Sequence, residues 1–175
     1  MKILIAPDSF KGTLTASEVC DIIARAFKDK IKDAEITKLP AADGGEGLCA
    51  CMGQILGGET VEAEVCGVFG ERIRAQYLML SDKTAVVEMA VCAGLPLAGE
   101  NKNPEKATTF GVGELIINAV SNGAKKILLG LGGSATNDCG LGMASALGWK
   151  FLDENGNSFV PVGKTMELIA DIIPP

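Results

Sequence analysis

The α/β character of the chain is clearest near its N-terminus, in KILIAPDSFKGTLTASEVCDIIARAFKDKIKDAEITKLP (residues 2–40). Residues 2–6 are an apolar run that is typical of a strand buried on both faces. After a polar loop, Thr15 and Glu18 have the spacing of a capping box, and an apolar stripe at helical spacing follows them. Residues 35–39 predict a second strand. A strand, a helix and a strand in this order predict a βαβ unit whose strands are parallel neighbours.

The pattern changes near residues 57–67, where we expect a boundary between two lobes. Apolar and polar residues alternate on both sides of the short link at residues 67–71, and a third strand is predicted at residues 85–89. Strands joined by such short links predict an antiparallel meander. We therefore divide the chain into an incomplete βαβ part (residues 1–66) and a second α/β lobe that contains the meander (residues 67–175).

An alternating α/β pattern returns after Pro104. Apolar spacing predicts a helix over residues 112–120, and KILLGL (residues 126–131) predicts a buried strand. Residues 149–152 predict a further strand, and residues 167–173 predict a short helix. The expected fold class is α/β, with parallel βαβ units and an antiparallel meander in two lobes, of which the first is incomplete.

Composition excludes several classes of function. The chain has 16 Lys and Arg against 22 Asp and Glu, a net charge of −6, which argues against nucleic acid or an anionic membrane as a partner. It contains no histidine, which excludes Ser-His-Asp and Cys-His nucleophilic sites and His-ligated metals. There is no CxxC pair among the six cysteines and no membrane-spanning apolar segment, so we expect a cytoplasmic protein with reduced thiols.

Three polar loops are the candidates for chemistry: DSFKG (residues 8–12), DGGEG (residues 43–47) and GLGGSATND (residues 130–138). Each follows a predicted strand or ribbon, and ligands of open α/β sheets bind beyond the carboxyl ends of strands. The third loop leads into a predicted helix, where free N–H groups and the positive end of the helix dipole would face a phosphate. A solvated turn is the alternative for the first loop, and a plain tight turn is the alternative for the second.

Two segments resemble conventional nucleotide-binding motifs. Gly163-Lys164-Thr165 resembles the end of a P-loop, but Ser158 stands where the first glycine is required. The spacing of residues 130–135 does match a dinucleotide fingerprint, with Asp153 at a suitable distance downstream. An NAD(P)-dependent oxidoreductase therefore remains an alternative, as does a non-catalytic module that binds nucleotide.

Five segments together resemble the N-terminal half of the bacterial class I glycerate kinases: IAPDSFKG (5–12), ADGGEG (42–47), VEMA (87–90), TTFGVGEL (108–115) and GLGGSATNDCGLG (130–142). The resemblance covers essentially the whole chain, and members of the family are about twice as long. It implies a flavodoxin-like and a Rossmann-like lobe with the active site in the cleft between them. It also implies that C-terminal strands complete the first lobe. Cys139 is a small departure, since relatives often have glycine there.

The resemblance implies transfer of the γ-phosphoryl group of ATP to a hydroxyl of D-glycerate, with 2-phosphoglycerate as the favoured product and Mg²⁺ as a cofactor. Such a transfer needs alignment and charge neutralisation, which lysine, Mg²⁺ and backbone amides supply without histidine. We expect Lys11 to neutralise charge on the transferred group or on the glycerate carboxylate. Asp43 is the expected base for the substrate hydroxyl, and Asp8 is its rival.

Further residues are expected to bind the two substrates and the metal. Those that would hold the ATP phosphates are Gly132, Gly133, Ser134, Thr136 and Asn137. We expect Ser9, Glu46 and Thr109 to contact glycerate. Asp138, or alternatively Glu46, would hold Mg²⁺.

The 175 residues on their own are expected to form an inactive half of such a kinase. A βαβ unit with only two strands leaves apolar surface and unpaired backbone, so the chain should associate through its incomplete first lobe. The apolar side chains expected to be partly exposed there are Ile3, Ile5, Ile23 and Phe27.

Overall fold

The computed structural model describes residues 1–175 and contains the predicted βαβ unit. Strands β1 (Lys2–Ile5) and β2 (Glu35–Lys38) are parallel, and helix α1 (Ala16–Lys30) connects them. The capping box is confirmed: the Thr15 side chain accepts a hydrogen bond from the Glu18 amide, and the Glu18 carboxylate accepts one from the Thr15 amide. Local sequence signals therefore account for this unit.

Strand β1 is not buried on both faces, so that prediction was wrong. The Leu4 side chain is 64% exposed, whereas Ile5 is 5% exposed. The sheet has only two strands, and alternate side chains of a strand point to opposite faces. One face of β1 therefore stays open. Ile5 is also more buried than expected, while Phe27 is exposed as expected.

Helix α2 (Leu48–Leu56) follows, and the chain then enters a four-stranded sheet of order β3-β4-β5-β6. These strands are β3 (Glu59–Cys66), β4 (Arg72–Met79), β5 (Thr84–Glu88) and β6 (Lys126–Gly130). Neighbours are antiparallel from β3 to β5, which is the predicted meander, and β5 and β6 are parallel.

Strand β3 pairs with β4 along its whole length of eight residues. The change from one sheet to the other therefore occurs at Gly57-Gly58, at the start of the interval 57–67 in which a lobe boundary is expected. A division between residues 66 and 67 would separate the two strands of one hairpin. We propose that the boundary lies at Gly57-Gly58.

Three helices lie between β5 and β6: α3 (Ala90–Ala93), α4 (Leu95–Ala98) and α5 (Phe110–Ser121). Helix α5 packs on the four-stranded sheet and forms the main core with it. Tyr77 is fully buried there, and its hydroxyl donates to Asn118 Oδ1 over 3.0 Å. The core is thus built by the second part of the chain.

Strand β6 was predicted to be buried, and this is wrong for one of its faces. Leu128 is 42% exposed, because β6 lies at the edge of the sheet while α2 packs on the strands β4 and β5. Its neighbour β5 lies inside the sheet, and Ala85, Val86 and Val87 of that strand are fully buried. An apolar run alone does not distinguish a central strand from an edge strand.

The chain ends in helix α6 (Leu141–Ala146) and a small antiparallel sheet of order β8-β7-β9. Its strands are β7 (Lys150–Leu152), β8 (Ser158–Phe159) and β9 (Asp171–Ile173), and a 3₁₀ helix spans Gly163–Leu168. The predicted helix over residues 167–173 is therefore wrong in its second half, where Asp171 pairs with Leu152 and Ile173 with Lys150. Strand pairing takes precedence over the short helical pattern. No helix is long and apolar enough to cross a membrane.

Candidate active site

The three predicted polar loops follow the carboxyl ends of parallel strands. Residues 8–12 follow β1, residues 43–47 follow β2, and residues 131–138 follow β6. This is the edge of a parallel sheet at which α/β proteins bind their ligands. Two separate sheets contribute these loops, so the site depends on how the sheets approach each other.

The loop at residues 43–47 contacts the Gly-rich loop backbone to backbone. The Gly132 amide donates to the Gly44 carbonyl oxygen over 2.9 Å. A Cβ atom at position 132 would lie 2.6 Å from the Gly45 Cα atom, closer than side chains are found in proteins. The contact therefore requires glycine at position 132. Such a close tertiary contact favours a ligand site over a plain tight turn in DGGEG.

A cleft of about 260 Å³ separates residues 9–18 from residues 41–51. Ser9, Lys11 and Glu46 line it, so the structure brings these three predicted residues together. The Lys11 side chain is exposed and forms no ion pair, unlike Lys38, which pairs with Asp21 over 2.6 Å. An unpaired ammonium group in a small cleft is suited to an anionic ligand.

Asp8 and Asp43 lie beside this cleft in sequence but are not part of its lining. Both are exposed, and each binds a nearby amide: Asp8 Oδ1 accepts from Ser9 N over 2.6 Å, and Asp43 Oδ1 accepts from Gly45 N over 2.9 Å. The second carboxylate oxygen of each makes no hydrogen bond within the chain. Either residue can thus accept a proton from a ligand.

The Gly-rich loop is followed by a helix, as predicted, but the expectation that this helix faces a bound phosphate was wrong. Helix α6 begins at Leu141, well after the Gly132-Gly133 pair, so no helix dipole faces a phosphate bound there. The dinucleotide fingerprint fails for the same reason, since it requires the helix to start among its glycines. Asp153 is a turn residue whose Oδ1 accepts from the amides of Asn155 and Asn157.

What the Gly-rich loop does offer is exposed backbone amides and hydroxyls. Gly133 has φ +74°, a conformation that favours glycine, and neither its amide nor that of Ser134 donates to an acceptor within the chain. The Ser134 and Thr136 hydroxyls lie 2.7 Å apart. Main-chain bonds to Ala93 and Leu95 hold the loop in place. Such consecutive free amides can bind an anion without a helix.

Asp138 and Thr109 are buried instead of facing a ligand. Asp138 is 1% exposed, and its Oδ2 atom accepts from the Thr109 amide and hydroxyl, each over 2.8 Å. The Gly140 and Gly142 amides also donate to this carboxylate, each over 3.2 Å. The Thr109 hydroxyl in turn accepts from the Met143 amide. Neither the metal role expected for Asp138 nor the glycerate contact expected for Thr109 fits these saturated groups.

Glu88 is a residue near the site to which the sequence patterns assigned no role. It ends β5, is 5% exposed, and accepts hydrogen bonds from the Gly47 and Cys49 amides. The sequence feature that could have indicated a role for Glu88 is its position as an acidic residue directly after the apolar run AVV (85–87). No group of three or more Cys, Asp or Glu side chains in the chain is arranged to hold a metal ion.

Comparison with known proteins identifies the family of this chain. The family model described as the glycerate kinase family matches residues 3–173. The chain belongs to the glycerate kinase family. It is 46% identical over 174 residues to a glycerate kinase of Bacillus subtilis and 44% identical over 174 residues to a glycerate 2-kinase of Escherichia coli.

A solved structure agrees with this family membership. The crystal structure of a protein assigned as glycerate kinase 2 from Salmonella typhimurium LT2 superposes with a TM-score of 0.82 at 43% identity. It covers 98% of this chain, while this chain covers 46% of it. The two curated kinases are likewise covered to 46%. The chain thus spans about half the length of the glycerate kinases that it matches.

Proposed function

We propose that the protein containing these residues transfers the γ-phosphoryl group of ATP to a hydroxyl of D-glycerate, with 2-phosphoglycerate as the favoured product. The observation that carries the proposal is the meeting of DGGEG (43–47) with the Gly-rich loop, beside a small cleft that contains an unpaired lysine. Phosphoryl transfer depends mainly on positioning and charge neutralisation. Backbone amides, hydroxyls and a lysine provide both in a chain without histidine.

On the nucleotide side, the phosphates would bind to the Gly-rich loop. The free amides of Gly133 and Ser134 would donate to phosphate oxygens, and the Ser134 and Thr136 hydroxyls would add further hydrogen bonds. Gly132 is needed for the contact with Gly44, so its part is to shape the loop. Asn137 is exposed at the end of the same loop and is available to the nucleotide.

On the acceptor side, glycerate would occupy the cleft of about 260 Å³. Lys11 would pair with the glycerate carboxylate or with the transferred group, and Ser9 would hydrogen-bond the acceptor. The free oxygen of Asp43 would accept the proton of the attacking hydroxyl, with Asp8 as the rival base. The Glu46 carboxylate is an exposed oxygen donor of the kind that Mg²⁺ prefers, so Glu46 takes the metal role in place of Asp138.

The two-lobe organisation is part of the same proposal. The two-stranded β1–β2 sheet would belong to a flavodoxin-like lobe and the four-stranded sheet to a Rossmann-like lobe. Strands from the other half of the kinase would pair with the first sheet, whose Leu4 is 64% exposed here. The glycerate cleft of the first lobe and the Gly-rich loop of the second would then face each other across two complete lobes.

The test is an assay of the full-length gene product with ATP, Mg²⁺ and D-glycerate. We expect ADP to form only when glycerate is present, and ³¹P NMR of the product to show the 2-phosphate ester. Tight ATP binding without glycerate-dependent turnover would contradict the proposal and favour the non-catalytic nucleotide-binding module.

A further inference from the structure

We propose that Glu88 is a positioning residue, which holds the DGGEG loop in the geometry that phosphoryl transfer requires. This inference rests on the proposed kinase function and adds to it a residue that touches neither substrate. The carboxylate acts through two backbone amides at the junction between the loop and α2. Its role is therefore to fix where Asp43 and Glu46 stand.

The first observation is that Glu88 supplies the cap that α2 lacks. The N-cap position of α2 is Gly47, which has no side chain to accept from the free amides of the first turn. Glu88 reaches them from β5: its Oε1 accepts from Cys49 N over 2.6 Å, and its Oε2 accepts from Gly47 N over 3.2 Å. A carboxylate at this end of a helix is also favoured by the helix dipole. The cap thus links two elements that are distant in sequence.

The second observation is that the loop is held at its other end by the neighbouring strand. Gly130 of β6 is the register partner of Glu88, and a side chain at Gly130 would collide with the Gly44 carbonyl oxygen. The Gly132 amide binds that same oxygen. One end of the loop is thus attached to the end of β6 and the other to the end of β5. Asp43 and Glu46 lie in or beside the segment between these attachments.

The third observation is that Glu88 has no cationic partner. The carboxylate is 5% exposed and forms no ion pair with any Lys or Arg of the chain. The Cys49 thiol donates to the Val86 carbonyl oxygen, and burial together with the nearby Glu88 carboxylate raises its pKa to about 12. The thiol stays protonated at neutral pH and does not compete with Glu88 for the amides.

The experiment compares Glu88→Gln and Glu88→Asp with Glu62→Gln, which changes an exposed glutamate of β3 that makes no ion pair. In Glu88→Gln an amide NH₂ group faces one of the two backbone N–H groups, so one cap bond is lost. Amide hydrogen exchange at Gly47 and Cys49 is measured in the full-length gene product. The kcat and the KM values for ATP and glycerate are measured in the full-length gene product.

We expect Glu88→Gln to lower kcat about 10- to 100-fold, since small displacements of catalytic groups have effects of this size. The KM for ATP should stay within about twofold, because the phosphate loop makes no hydrogen bond to Glu88. Exchange at Gly47 and Cys49 should quicken while Val87 and Leu115 in the core keep their protection. Glu88→Asp should lie between wild type and Glu88→Gln, and Glu62→Gln should match wild type.

Unchanged kcat in Glu88→Gln, or unchanged exchange at Gly47 and Cys49, would overturn the proposal. Lost protection throughout the core with normal kcat per folded molecule would show a merely structural role and would also overturn it. If Glu88→Gln does not fold, the same measurements on Glu88→Asp decide the question. Absence of glycerate phosphorylation by the wild type would refute the kinase function separately, because the exchange data still show whether Glu88 holds the loop.

Discussion

At the scale of single residues, the charged groups near the site differ in whether they are exposed and free to bind a ligand. Lys11 and Asp43 are exposed and retain an unpaired ammonium group and a free carboxylate oxygen, respectively. Asp138 is 1% exposed and accepts four hydrogen bonds from the chain itself. Groups whose bonding capacity is already used stabilise the protein, whereas the available groups can act on a ligand.

Replacing the available groups should impair turnover while the fold stays intact. We expect Lys11→Met and Asp43→Asn each to lower kcat of the full-length enzyme about 10²- to 10⁴-fold, the usual contribution of positioned charges and bases. The matched control is Lys32→Met, at an exposed lysine that makes no ion pair. Steady-state kinetics with both substrates are the measurement. Near-normal turnover in both site variants would move the chemistry to Asp8 or to the other half of the kinase.

Gly133 provides a test of the phosphate loop. Its φ of +74° is strained for a β-branched residue, so Gly133→Val should displace the free amides of residues 133 and 134. We expect the KM for ATP to rise far more than the KM for glycerate. Gly123→Val is the control, because Gly123 has φ +91° and sits in a turn remote from the loop. An equal effect of the two substitutions on the KM for ATP would refute phosphate binding at this loop.

At the scale of secondary-structure elements, two buried carboxylates accept hydrogen bonds from the N-termini of helices and so connect elements of the fold. Asp138 connects Thr109, the N-cap residue of α5, to the start of α6, whose Gly140 and Gly142 amides it accepts from. Glu88 connects the end of β5 to the start of α2. Helices leave amides free at their N-termini, and a carboxylate from another element satisfies them.

Asp138→Asn should therefore act on stability. The amide NH₂ group would face backbone donors in a buried site, and we expect the free energy of unfolding to fall by about 2–4 kcal/mol. Urea denaturation of the full-length gene product measures this loss, with Asp33→Asn as the control at an exposed aspartate without hydrogen bonds. A variant with wild-type stability, but with a weakened Mg²⁺ dependence of turnover, would restore the metal role of Asp138.

At the scale of the whole molecule, the two parts of the chain are unequally complete. The four-stranded sheet and α5 enclose a core of twelve buried residues. The β1–β2 sheet has two strands, and Leu4 is 64% exposed on its open face. Unpaired strand edges and open apolar faces promote association. The first part, which contains the whole cleft, is consequently the less stable of the two parts.

Residues 1–175 expressed alone should accordingly fail as a kinase. Catalysis requires the groups of the cleft and of the Gly-rich loop to be held in place, and the cleft belongs to a sheet with only two strands, β1 and β2. We expect ATP-to-glycerate transfer at background level, and light scattering should detect species larger than the 18.1 kDa monomer. Turnover near ~10 s⁻¹, the median for enzymes, from a monodisperse monomer would contradict this expectation.

The features that sequence patterns predicted correctly depend on near neighbours along the chain. The Thr15–Glu18 capping box spans three residues, and the meander follows from alternation and short links. The approximate positions of the three polar loops follow from where the strands end. In each case the residues that determine the structure lie within one turn or one strand of each other, so their spacing is visible in the sequence.

Tertiary structure alone decided which of these loops contact each other. It also decided which acidic side chains are buried and hydrogen-bonded within the chain. Thr109 and Asp138 are 29 residues apart, and Gly47 and Glu88 are 41 apart. Strand β9 pairs with β7 although its residues were expected to be helical. A buried carboxylate takes its role from the amides that packing brings to it, and a short segment takes its conformation from the strand beside it. Local spacing reveals neither the amides that bind the carboxylate nor the strand that pairs with the segment, because both come from distant parts of the chain.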